Sequence, residues 1–138
     1  MKETCKAILL VEDDQVDVMT VRRALKELHV TNRLEHVENG EEALAYLGDS
    51  GRECPCLILL DINMPVMNGI EFLQAVKVVP ELKRIPVVVL TTSDEQKDKV
   101  ETFDLGVAGY MRKPVDYRRF VEIIRTIDAY WTISESPV

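Results

Sequence analysis

A chain of 138 residues has the length of one domain built around one core. Its formal net charge of −7 with no basic cluster argues against nucleic acid, since neutralising phosphates takes clustered Lys and Arg, and Arg22-Arg23 and Arg118-Arg119 read as solvated helix faces. No apolar run nears the roughly 18 residues of a membrane span, and Met1-Lys2-Glu3-Thr4-Cys5-Lys6 leads into a strand without a signal-peptide core, so no membrane association and a cytoplasmic location are expected.

The first strand is predicted at 7–11, where Ile8-Leu9-Leu10-Val11 stops at Glu12-Asp13-Asp14. A helix follows at 15–29 with Asp14 placed to cap it. A second strand near 33–37 precedes Asn39-Gly40 and a helix over 40–48, which Gly48 ends, with Gly51 in the loop beyond. Three cysteines, Cys5, Cys54 and Cys56, are an odd, sparse set that suits a reducing compartment. With one close pair and two His, Cys54-Pro55-Cys56 reads as a loop entering a strand and not as a zinc site. The third strand, 57–61, holds Leu57-Ile58-Leu59-Leu60, an apolar run of a strand buried on both faces, and ends abruptly at Asp61. A helix is expected over 67–78. Val87-Val88-Val89-Leu90 lies in a strand at 86–91 ending at Thr91-Thr92, and Ser93-Asp94 before Glu95 open a helix over 95–105. A fifth strand, 108–112, runs into Lys113-Pro114, a last helix spans 116–131, and residues 132–138 form a short tail.

Five strand–helix alternations point to a single α/β domain over 1–138. Right-handed crossovers restrict it to a doubly wound, flavodoxin-like parallel sheet of five strands in the order 2-1-3-4-5. The fourth helix carries Val100, Phe103 and Leu105 among charged residues, so it should bury little and be the most labile element. The fifth is the opposite. Tyr117, Phe120, Val121, Ile123, Ile124, Ile127, Tyr130 and Trp131, placed at about 100° per residue, cover an arc of roughly 180°, wider than one sheet face requires. The surplus suggests a second partner for that helix, such as another chain.

In an open parallel sheet, chemistry collects at the carboxyl ends of the strands. If strands one and three are neighbours, Glu12, Asp13 and Asp61 converge there. Three carboxylates within a few ångström repel one another unless a cation intervenes, and a hard divalent ion such as Mg2+ suits carboxylate, carbonyl and water ligands. Helix capping explains Asp14 but not acids at two strand ends. Lys113 can pair with Asp61 and then with an anion attached to it, and Thr91 can donate to that anion. A carboxylate, a metal, a lysine and a hydroxyl together suit phosphoryl transfer onto Asp61. A dinucleotide or flavin is disfavoured, because the turn Glu12-Asp13-Asp14 repels phosphate and no Gly-x-Gly follows the first strand. A Gly-x-Ser-x-Gly elbow is also absent from the sequence. A phosphatase with Asp61 as nucleophile would need a general acid two residues on, where Asn63 stands. His29 and His36, on a helix end and a strand, read as ordinary residues far from these loops.

Four motifs carry a resemblance over nearly the whole chain, Ala7 to about Tyr130. They are Leu10-Val11-Glu12-Asp13-Asp14, Leu60-Asp61-Ile62-Asn63-Met64-Pro65-Val66-Met67-Asn68-Gly69, Pro86-Val87-Val88-Val89-Leu90-Thr91 and Gly109-Tyr110-Met111-Arg112-Lys113-Pro114. With them the chain resembles the receiver domain of two-component response regulators. The resemblance implies that Asp61 is the phosphoacceptor, with Glu12, Asp13, Asp61 and the backbone carbonyl of Asn63 holding Mg2+. It makes Thr91 the switch hydroxyl, Tyr110 the aromatic that moves with it, and Lys113 the family's lysine, followed by a cis bond to Pro114. Glu12 stands where many relatives have Asp, and Thr92 where many have Ala or Ser. Asn63 and Ser93 fall at positions that tune dephosphorylation in the family.

No output domain is evident, so the resemblance implies a stand-alone receiver. It would act by phosphorylation-dependent contacts, or else as a phosphorelay or sink receiver or a phosphate-independent adaptor, and not as an enzyme on other substrates. The helical ending and short tail are similar to the small response regulators of bacterial phytochrome kinases. That implies a sensor histidine kinase as partner and a homodimer through the face formed by the fourth helix, fifth strand and fifth helix.

Overall fold

Alternation of short apolar runs with amphipathic stretches gives, in chain order, β1 (Ile8–Val11), α1 (Gln15–Glu27), β2 (Leu34–Val37), α2 (Gly40–Leu47), β3 (Leu57–Leu60), α3 (Gly69–Lys77), β4 (Val87–Thr91), α4 (Gln96–Asp104) and β5 (Gly109–Arg112). The structure, a computed structural model, describes residues 7–27, 29–30, 32–49, 51, 54–64, 66–91, 96–112, 118–122 and 125; residues 118–122 and 125 are helical. The five strands are all parallel in the order β2-β1-β3-β4-β5, as expected. This is the doubly wound, flavodoxin-like arrangement. Lys113, Pro114 and its peptide bond, Thr92, Ser93 to Glu95, Cys5, the tail, and Tyr117, Ile123, Ile124, Ile127, Tyr130 and Trp131 of the fifth helix lie outside the described residues.

β1, β3 and β4 are buried throughout, as strands covered on both faces must be. Their side chains alternate between two cores. Leu9, Val11, Ile58, Leu60 and Val89 pack with Ala43 and Tyr46 of α2 and Phe72, Leu73 and Val76 of α3. Ile8, Leu10, Leu59, Val88 and Leu90 pack with Val18, Val21, Ala24 and Leu25 of α1 and with Phe120. At about 25 cal/mol per Å2 of apolar area, these two layers supply most of the drive for folding.

Local chemistry moves several boundaries from those the sequence predicts. α1 stops at Glu27 and not at residue 29, because His29 takes the left-handed conformation (φ 58°). The Val30 N–H then reaches the Leu25 carbonyl and the His29 N–H the Lys26 carbonyl, the paired bonds of a Schellman end. α3 begins at Gly69, two residues later than predicted, because Asn68 caps it. The Asn68 side chain accepts from the Glu71 N–H (2.9 Å) while the Glu71 carboxylate accepts from the Asn68 N–H (3.0 Å), a full capping box. Asp14 caps α1 as predicted and Asn39 caps α2, each with its side-chain oxygen on a first-turn N–H. Gly48 ends α2 with right-handed geometry (φ −86°), its N–H on the Leu44 carbonyl. In α4 the buried residue is Thr102, while Val100 and Phe103 are each 48% exposed. That helix buries still less than its sequence suggests.

Candidate metal centre

Parallel register places the acids. Val11 pairs with Leu60, and the Asp61 N–H donates to the Val11 carbonyl at 3.0 Å, so β1 and β3 end side by side. Glu12 and Asp61 are therefore neighbours at the carboxyl edge, both buried, with Asp13 exposed beside them. One ligand oxygen from each of Glu12, Asp13 and Asp61 lies within 4.8 Å of the others. Among the described residues this is the only cluster of three or more metal-type side chains. The Cys56 N–H donates to the Ala7 carbonyl, as a loop entering β3 should. An all-carboxylate set fits a hard, oxygen-seeking divalent cation and not a soft one.

The loop after β3 is held from three sides. The Asn63 N–H donates to Asp61 Oδ1 at 3.1 Å, and Asn63 Nδ2 donates to Thr91 Oγ1 at 3.2 Å. Thr91 is fully buried at the end of β4, and the predicted acid and hydroxyl are joined through one residue, Asn63, whose backbone N–H serves the acid and whose side-chain amide serves the hydroxyl. The Gly69 N–H turns the loop back onto the Ile62 carbonyl at 2.9 Å. The Met67 carbonyl accepts from the Gly40 N–H at 3.0 Å, which ties the loop to the start of α2. Val66 sits between these anchors with φ 65°, a conformation strained for a β-branched residue.

Tyr110, on β5, stacks at a tilt on Phe103 of α4, with ring centroids 6.2 Å apart. It is apart from the acids but one strand from Thr91, whose register partner is Arg112. Lys113 falls immediately after the described part of β5. Arg33 has its guanidinium held above the ordinary value by the hydrogen bond from Nε to Glu35, but it precedes β2 at the opposite edge of the sheet.

Sequence reasoning misplaced one residue. His36 was expected to lie far from the acidic turn, yet its Nε2 is 2.6 Å from the Glu12 carbonyl oxygen. The contact follows from register: β2 lies beside β1 with His36 opposite Leu10, so residues 24 apart in the chain meet across the sheet.

The profile of the response regulator receiver domain matches residues 8–125. The response regulator Rcp1 of Synechocystis sp. is 38% identical over 130 residues, which cover 91% of this chain and 88% of that protein. Among solved structures, the phosphorylated cyanobacterial phytochrome response regulator RcpA superposes with a TM-score of 0.81 at 37% identity, covering 97% of this chain and 99% of that one. The Mn2+-bound form of Rcp1 gives a TM-score of 0.80 at 36% identity, covering 95% and 97%.

Proposed function

This chain belongs to the response regulator receiver family, and on that premise we propose that Asp61 accepts a phosphoryl group from a histidine kinase and that the acyl phosphate resets the chain's contacts with other proteins. The observation that carries the proposal is the gathering of Glu12, Asp13 and Asp61 where β1 and β3 end together. Nothing about capping or solubility requires two buried carboxylates to face a third.

In the proposed step a carboxylate oxygen of Asp61 attacks phosphorus. A P–O bond forms as the P–N bond to the donor imidazole breaks, and the released ring nitrogen takes the electron pair and then a proton. Glu12, Asp13, Asp61 and the backbone carbonyl of Asn63 would hold Mg2+, which when bound offsets the charge on the transferring oxygens. The Asn63 N–H already donates to Asp61 Oδ1, which fixes the orientation of the nucleophile. Thr91 would turn its hydroxyl from its present partners to a phosphoryl oxygen, and Lys113 would pair with the same anion. Movement at the end of β4 would then reach Tyr110 on the neighbouring strand, and Phe103 of α4 through the ring contact. The chain is thus read as a phosphoacceptor and not as an enzyme that turns over external substrates.

Similarity to Rcp1 and RcpA supports a phytochrome-type kinase as the donor. Exposed Val100 and Phe103 on α4, with the wide apolar arc of the fifth helix, support a homodimer through the α4-β5-fifth-helix face. The direct test uses a small-molecule acyl phosphate as donor. Wild type should be labelled in Mg2+ and not after chelation, and Asp61→Asn should remain unlabelled. Labelling of Asp61→Asn at the wild-type level contradicts the assignment.

A further inference from the structure

The geometry points to His36 as the positioning residue of the metal centre, acting through the main chain of Glu12; we infer that it sets metal affinity without touching the metal. The inference rests on the metal reading above. Glu12 is fully buried, and its carboxylate belongs to the triad of acids. Its peptide lies just past the end of β1, where a strand normally loses its ladder.

On one side the ladder continues: the Glu12 N–H donates to the Val37 carbonyl at 3.0 Å. In a parallel ladder the Glu12 carbonyl would next accept the N–H two residues beyond Val37, that of Asn39. Asn39 has left the sheet to cap α2, with its side chain on the Glu42 N–H. The His36 ring supplies the missing rung. Because a carbonyl oxygen can only accept, the 2.6 Å contact requires Nε2 to carry the hydrogen, so the bond also selects the tautomer.

Asp14 completes the clamp from the other direction, its N–H donating to Glu12 Oε2 at 3.2 Å. Glu12 is thus held at its N–H, its carbonyl and its carboxylate by Val37, His36 and Asp14 in turn. Of these only the His36 bond comes from a side chain alone, and so only it can be removed by substitution while the backbone is kept. Loss of the rung would let the Glu12 peptide rotate and loosen a ligand that the cation needs at a fixed place. Partners that orient a ligand in this way typically contribute 10- to 100-fold to metal affinity.

The experiment is Mn2+ titration of the full chain, with free Mn2+ read by electron paramagnetic resonance, alongside thermal unfolding without metal. His36→Leu should fold and bind Mn2+ about tenfold more weakly than wild type. His36→Gln, whose amide N–H can reach the same carbonyl, should recover most of that loss. Should His36→Leu fail to fold, His36→Phe keeps the ring's bulk without a donor and carries the same comparison. Wild-type affinity in a folded variant lacking the donor overturns the inference, as does an equal loss in Gln and Leu, which would assign the effect to shape. Failure of the wild type itself to bind Mn2+ removes the metal reading and this inference with it.

Discussion

A Cβ on residue 69 would stand 2.6 Å from the Asp61 carbonyl oxygen and 2.7 Å from the Ile62 Cα, both backbone atoms of the segment just past β3 that carries the acceptor. Neither can move without displacing Asp61, so Gly69→Ala should destabilise the fold by about 1–3 kcal/mol, the usual cost of overpacking. Denaturant midpoints measure this, and an unchanged midpoint contradicts it. At this scale the acids were legible in the sequence, because a carboxylate at the tip of an all-apolar run has few structural excuses. Thr91 was legible for the same reason. His36 was not, because what matters is its neighbour across the sheet, and register is invisible until β2 is laid against β1. The bond from Asn63 Nδ2 to Thr91 was also hidden, since the loop after β3 and the end of β4, 28 residues apart, must meet to make it.

Among the described helices α1 to α4, α4 buries the least. Its apolar residues Val100 and Phe103 are half-exposed, and its buried residue is Thr102, whose hydroxyl donates to the Lys99 carbonyl within the helix. Hydrogen exchange should therefore open the amides of α4 before those of α3, which buries Phe72, Leu73 and Val76 and carries a capping box. Equal protection of the two helices contradicts this. Existence and order of the elements followed from hydrophobic periodicity, whereas the ends did not. Met67 is apolar and fits a helical stripe, yet it lies two residues before α3 begins. The sequence Asn68 to Glu71 held the better signal, an N-cap with a carboxylate three residues on. At α1 the stop depends on His29 accepting a left-handed φ, a choice more often made by Gly, so composition does not mark it.

For the whole molecule, alternation of strands and helices with right-handed crossovers left few topologies, and the observed order is the simplest of them. Assembly is the open property at this scale. Val100 and Phe103 expose apolar surface on α4, and the proposed dimer would cover it together with the fifth helix. Light scattering should detect dimer at micromolar concentrations, and a strict monomer with and without a phosphoryl analogue contradicts that face as an interface. All of these properties converge on the fate of one carboxylate, and reductive trapping reads it directly. After incubation with an acyl phosphate donor and Mg2+, borohydride should convert the acyl phosphate to an alcohol, and peptide mass analysis should place homoserine at position 61. Homoserine at another acid, or an unmodified Asp61 in a protein that has taken up phosphate, would contradict the account.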